Sequence, residues 1–139
     1  MLATFDKLLG ALTAAVAGIA AISLLVAGVL VMNVMLVAVA QRRAEIGLIK
    51  ALGARGATIR QIFLAEAAML SLAGAVAGYL LGQLGAWGLR WAFPVFPAYS
   101  PAWAVVAALA TSLGTGLVFG LLPAQRAAKL DPVDALMRH

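Results

Sequence analysis

A run of 33 residues without a charged side chain, residues 8–40, constrains this chain more than any other feature. About 20 apolar residues are enough for a helix to cross the hydrocarbon core of a bilayer at 1.5 Å per residue. The run therefore predicts a tilted transmembrane helix that projects past the headgroups at one end. Two further uncharged runs of 23 residues each, residues 67–89 and 102–124, have the length of single spans.

The composition favours the same class of protein. Of the 139 residues, 65% are hydrophobic and 11% are charged, whereas a soluble domain carries about 25% charged residues. Backbone polar groups in lipid must pair within their own segment, so each run is predicted to be helical. We therefore predict an all-α membrane protein with three transmembrane helices, at about residues 12–40, 63–89 and 102–124. A signal peptide is disfavoured for the first run, because a signal core is only about 7–15 residues long.

The basic residues predict the orientation. They cluster between the first two runs and after the third: Arg42, Arg43, Lys50, Arg55 and Arg60, then Arg126, Lys129 and Arg138. Positive-inside bias then places residues 41–60 and the tail, residues 125–139, in the cytoplasm, with the N-terminus outside. An outside N-terminus without a signal predicts that an earlier span precedes this chain, or that the chain is a fragment. Six aromatic residues between Trp87 and Trp103 predict an interfacial belt around the outer loop.

Residues 42–53 form a short amphipathic segment between the first two spans. Ile46, Ile49 and Leu52 recur every three residues, and charged side chains occupy much of the remainder. Gly53 is placed to end this helix in the left-handed conformation. So short a helix is unstable alone in water. It needs either a protein groove or the lipid headgroups, and the pattern alone favours neither.

Two sets of glycines and two polar residues are candidates for contacts within the membrane. Gly74, Gly78 and Gly82 repeat every four residues in the second span, and Gly116 and Gly120 do so in the third. This spacing favours close helix packing, against the alternative of generic glycine richness. Asn33 either bonds across helices or lies near the headgroups. Glu66 is interpreted as an interfacial carboxylate at a helix N-terminus rather than as a proton relay.

The remaining features point to no chemistry within the chain. Pro123 is predicted to end the third span, and Asp131, Pro132 and Asp134 to begin a short terminal helix. The sequence has no GxxxxGK[ST] phosphate loop, so this chain is not expected to hydrolyse ATP. It has no cysteine, and His139 has no partner ligands. We predict no catalytic residue, no cofactor-binding residue and no metal site.

Three stretches carry a family resemblance. They are ISLLVAGVLVMNVMLVAVAQRRAEIGLIKALGAR at residues 22–55, the glycine-repeat span from Phe63, and LPAQRAAKLDPVDAL near the end. Together these stretches cover nearly the whole chain. In them, the chain resembles the C-terminal part of FtsX-like ABC transporter permeases, most closely the MacB type.

The resemblance implies a function, a location and partners. The three spans look like the last three of four, so the first span and the extracytoplasmic domain of the family would be missing here. The chain would couple ATP hydrolysis by a nucleotide-binding ATPase, which holds the ATP and Mg, to export or extracytoplasmic mechanotransmission at the cell inner membrane. It would act as a homodimer through the first span, including Asn33, with no nucleic-acid partner. The implied coupling helix is residues 42–53, and its ATPase contacts are Glu45, Ile46, Leu48, Ile49, Lys50, Leu52 and Gly53.

Two alternatives stay open at this point. One is an FtsX-type regulator that activates an extracytoplasmic cell-wall hydrolase. The other is a small standalone membrane protein whose amphipathic segment rests on lipid.

Overall fold

The computed structural model describes residues 2–93 and 101–131, and their regular structure is entirely helical. The four helices are α1 (Leu2–Gln41), α2 (Arg43–Ala51), α3 (Gly56–Ala92) and α4 (Ala102–Lys129). Of these, α1, α3 and α4 are long and apolar enough to cross a membrane. This confirms the predicted all-α architecture, with a short helix between the first and second spans.

The start of α3 corrects the interpretation of Glu66. The helix begins at Gly56, and its first turn contains no acidic residue. Glu66 therefore lies ten residues inside the helix, where the dipole of the N-terminus has little effect. The expectation that Glu66 lies at a helix N-terminus was wrong, because the helix extends well beyond its hydrophobic run.

The end of α4 corrects the interpretation of Pro123. The helix continues through this residue to Lys129, so Pro123 does not end the helix that carries the third span. Proline removes the N–H that would bond the Phe119 carbonyl, but neighbouring helices make such a loss tolerable in membrane helices. The Pro123 side chain is among the most deeply buried, and its packing offsets the lost bond. Asp131 follows α4, while the terminal helix predicted after it lies outside the described residues.

A single residue, Arg42, separates α1 from α2. Its backbone leaves helical geometry only slightly, with φ −97° and ψ 18°. The Arg42 N–H donates to the Ala38 carbonyl and the Ile46 N–H donates to the Arg42 carbonyl, both at 3.0 Å. The hydrogen-bond ladder therefore runs across the junction, and α2 is a bent extension of α1.

The three long helices pack unequally. Helix α4 lies mainly against α3 and also against α1, whereas α1 and α3 touch over few residues. The buried core lies where α1 ends, α3 begins and α4 ends, a region we call the α2 end of the bundle. Its members are Met35 and Val39 of α1, Ile46 of α2, Ile59, Phe63 and Ala67 of α3, and Ala124 and Ala127 of α4.

The opposite end of the bundle and the first half of α1 are open. Residues 4–27 of α1 include no buried residue. At the far ends of α3 and α4, Trp87, Trp91 and Trp103 are all exposed, as amphipathic rings of a membrane interface would be. Phe96 and Tyr99 of the predicted belt lie outside the described residues.

Candidate functional site

Helix α2 ends in a glycine-dependent cap. Gly53 has φ 99°, and it is the one positive-φ residue of the described chain. Its N–H donates to the Lys50 carbonyl at 2.9 Å, and the Ala54 N–H donates to the Ile49 carbonyl at 3.1 Å. These two bonds form a Schellman motif, which confirms the predicted left-handed end of the helix and fixes the turn into α3.

One face of α2 is built into the bundle. Ile46 and Gly47 are buried, and Ile46 retains only 4% of its exposure in contact with the core of the α2 end. The Lys50 ammonium donates to the carbonyls of Ala128 and Leu130, at 2.6 and 2.7 Å. Ile46 and Lys50, two of the side chains expected to touch an ATPase, therefore face the interior of this chain.

The other face of α2 is exposed. Glu45, Leu48, Ile49 and Leu52 are all exposed, and Leu52 keeps 80% of its surface. They fall at i, i+3, i+4 and i+7, which is one stripe of a helix. We call these four residues the α2 stripe. Three apolar side chains around one carboxylate, on a helix whose other face is anchored, suit a protein groove.

An ion pair joins the bend between α1 and α2 to α3. Arg42 Nη1 lies 3.5 Å from Glu66 Oε2, and both side chains are substantially exposed, at 52% and 40%. A pair this exposed contributes little, about 0–1 kcal/mol. It orients the junction more than it stabilises the fold.

The glycine pair of α4 lies directly against α3. A Cβ on Gly116 would overlap the Ser71 hydroxyl, and one on Gly120 would come within 2.6 Å of the Ala67 Cβ. The Ser71 hydroxyl donates to the Ala67 carbonyl at 2.8 Å, and the Ser112 hydroxyl donates to the Ser71 carbonyl at 3.1 Å. Small residues therefore let the two backbones approach closely, and the Ser112 hydroxyl donates a hydrogen bond from α4 to α3.

The glycine triplet of α3 and the amide of α1 have a different setting. No atom of another element lies within 4 Å of where a Cβ would stand on Gly74, Gly78 or Gly82. Asn33 is exposed, on a shallow groove of α1 that also includes Val34, Val37, Ala38 and Gln41. No described helix packs directly on either surface, although Gly74 borders an open cavity that α1 and α4 also line.

Residues 4–93 and 101–131 hold no group of three or more histidine, cysteine or acidic side chains that could bind a metal ion. At the α2 end, a short helix is fixed on one side and exposed on the other.

Comparison with known proteins places this chain in a family. The model for the FtsX-like permease C-terminal family matches residues 17–132 of the chain. The chain belongs to this family. It is accordingly a multi-pass membrane protein of the ABC transporter permease type.

Among the relatives of this permease chain, one is the pyoverdine export ATP-binding/permease protein PvdT of Pseudomonas aeruginosa. It is 52% identical over 118 residues, which cover 85% of this chain and 18% of PvdT. The macrolide export ATP-binding/permease protein MacB of Acinetobacter baylyi is 48% identical over 98% of this chain and 21% of MacB. MacB of Shigella boydii is 46% identical over 87% and 19%. The permease chain thus spans about a fifth of the length of these relatives.

Sequence reasoning missed three contacts of this permease chain. The acceptors of Lys50 are backbone carbonyls, and no side-chain pattern marks them. The aromatic ring of Phe119 lies against Gly28 of α1, although Gly28 belongs to no small-residue repeat singled out in the sequence. Ser112 of α4 donates to the Ser71 carbonyl of α3; a hydroxyl on an otherwise apolar span would have been the signal for that contact.

Proposed function

We propose that this chain is the permease part of an ABC transporter, in which a nucleotide-binding ATPase docks on the α2 stripe. ATP hydrolysis would then drive export or extracytoplasmic mechanotransmission at the cell inner membrane. The observation that carries the proposal is the two-sided setting of α2. A displacement of a helix that is anchored to the bundle also moves the transmembrane helices. A helix that only rests on lipid would move alone and transmit no displacement.

The charge distribution supports docking from the cytoplasm. The described basic residues of the α2 end are Arg42, Arg43, Lys50, Arg55, Arg60, Arg126 and Lys129. The opposite end of α3 and α4 carries Arg90 alone among the described residues. Positive-inside bias therefore orients the α2 end toward the cytoplasm and the start of α1 toward the outside.

The open surface of α1 supports a homodimer. Asn33 and the neighbouring exposed groove would meet the same surface of a second copy, where the amide could bond across the interface. The uncovered row of Gly74, Gly78 and Gly82 on α3 is a separate close-packing surface for another span. The relatives are named ATP-binding/permease proteins, and this supports an ATPase joined to, or paired with, the permease.

Substitution of Leu52 by Asp tests this function. The side chain is exposed, so the fold should survive while the apolar stripe is broken. Thr58→Asp is the matched control, because it adds the same charge to an exposed residue of the first turn of α3, off the stripe. Loss of ATPase co-purification in Leu52→Asp alone supports docking. Equal co-purification by both variants and the wild type would overturn it.

A further inference from the structure

Among the described residues, the shortest polar contact between two helices is the one that Lys50 makes with the end of α4. Its ammonium donates to the Ala128 carbonyl at 2.6 Å and to the Leu130 carbonyl at 2.7 Å, in a partly buried setting. These carbonyls belong to the last turn of α4 and its cap, where a helix lacks acceptor partners of its own. A cation at this end also complements the helix dipole.

The neighbouring backbone holds this contact in place. Gly56, the first residue of α3, lies so close to α4 that a Cβ on it would stand 3.0 Å from the Ala128 carbonyl oxygen. The cap at Gly53 fixes the turn between Lys50 and Gly56. The end of α4 is therefore enclosed by the end of α2 and the start of α3. Hydrogen bonds from a charged donor are roughly twice as strong as neutral ones.

We propose that Lys50 is a positioning residue that fastens α4 to α2, so that a displacement of α2 moves α4 as well as α1. The inference rests on the proposed docking of an ATPase on the α2 stripe. Without this contact, α2 would act on α1 through the hydrogen-bond ladder at Arg42 and on α3 through the capped turn at Gly53, but it would have no such bond to α4. With it, a displacement of α2 acts on α4 directly as well.

The packing farther along α4 shows where a displacement of α4 reaches α1. Gly116 and Gly120 hold α4 against α3, and Phe119 lies between them in sequence with its ring against Gly28 of α1. A shift of α4 that starts at Ala128 therefore reaches α1 at Gly28, 13 residues before the end of that helix. The two routes from α2 converge on α1, one at its end and one at Gly28.

Spin-label distances test the fastening in the chain itself. The chain has no cysteine, so labels at Ala51→Cys and Gln125→Cys, both exposed, report the separation of α2 from α4 in phosphatidylethanolamine–phosphatidylglycerol vesicles. In the doubly labelled chain that retains Lys50, we expect one narrow distribution of distances between the two labels. In the same chain with Lys50→Met, this distribution should broaden. Lys129→Met removes the same charge from an exposed side chain of α4 and should keep the narrow population.

A second variant and a second readout separate positioning from general destabilisation. Gly56→Val should broaden the same distance by displacing the Ala128 carbonyl, whereas Gly18→Val, which meets no neighbour, should not. In the complex with the ATPase, Lys50→Met should bind the ATPase as the wild type does but lose the ATP-dependent change in mobility of a label at residue 125. A narrow distance in Lys50→Met, or an unchanged ATP response, would overturn the proposal. Retained ATPase binding by Leu52→Asp would instead overturn the proposed docking, and the distance measurement would still decide the fastening.

Discussion

The ring of Phe119 on α4 lies directly on the backbone of α1 at Gly28, so closely that a Cβ at residue 28 would overlap it. Gly28 is buried, while the α1 residues from 4 to 27 are not. Toward the N-terminus, Gly28 is thus the last buried residue of α1 in the described part of the chain.

Gly28→Ala is expected to destabilise the bundle. In an open helix position this change would gain roughly 0.5–1 kcal/mol of helix propensity. Here the added methyl group would overlap ring atoms of Phe119, including Cγ at the base of the ring, so the ring or the helix must shift, at a cost of about 1–3 kcal/mol. Thermal unfolding in micelles should show a lowered Tm. Gly18→Ala, which meets no neighbour, should leave the Tm equal or higher, and a Tm for Gly28→Ala equal to that of Gly18→Ala would contradict the contact.

Gly116→Ala is expected to separate α3 from α4. The new methyl group would overlap the Ser71 hydroxyl and stand 3.3 Å from the Ala67 carbonyl oxygen, so one backbone must retreat. The overpacking should lower the free energy of unfolding by about 1–3 kcal/mol. Gly78→Ala is the matched control in α3, because nothing lies within 4 Å of its Cβ position. Equal unfolding energies for the two variants would refute the packing.

Ile46→Asp and Leu52→Asp should differ in their effect on folding. A carboxylate at residue 46 would be buried in the core of the α2 end, and the ammonium of Lys50, one turn along the same face, already donates to the carbonyls of Ala128 and Leu130. Such burial costs several kcal/mol or forces the helix out. Leu52 is open, so its replacement should be nearly neutral. Limited trypsin digestion should cleave at Arg55 rapidly in Ile46→Asp and slowly in Leu52→Asp; similar rates would contradict the assigned faces.

The Arg42–Glu66 pair should matter little for stability. Its side chains are about half exposed and 3.5 Å apart, so Glu66→Gln is expected to cost less than about 1 kcal/mol. Salt should reduce this difference further, since it screens exposed charges. Unfolding of Arg42→Gln, Glu66→Gln and the double variant at low and high salt gives the coupling energy. A coupling well above about 1 kcal/mol that persists at high salt would show that the pair is buried.

The sequence was sufficient for the helices and for the cap of α2. Long uncharged runs predict transmembrane helices because backbone N–H and C=O groups in lipid can form hydrogen bonds only within their own segment. Gly53 directly follows the amphipathic segment, where a residue in the left-handed conformation ends the helix. The limits of the helices were less predictable. α4 passes through Pro123 and α3 starts ten residues before Glu66, because packing at the α2 end supports turns that lie beyond the hydrophobic runs.

The sequence could not show which small-residue row is covered within the chain. The triplet at Gly74, Gly78 and Gly82 is the longer repeat, yet the pair at Gly116 and Gly120 makes the close contacts. The reason is that the spacing of small residues identifies one face of a helix but does not show which helix packs against that face. Likewise, the family resemblance placed Ile46 and Lys50 with the docking residues, because a position within the coupling helix does not show whether a side chain faces this chain or another.

Site-specific photocrosslinking from α2 tests the central claim most directly. A photoreactive side chain would be placed in turn at Leu48, Ile49 and Leu52 of the α2 stripe, at buried Ile46, and at exposed Thr58 as the control, in the assembled complex with its ATPase. Docking on the α2 stripe predicts ATPase adducts from the three stripe positions and none from Ile46 or Thr58. Adducts from Ile46 or Thr58 with none from the stripe would contradict it.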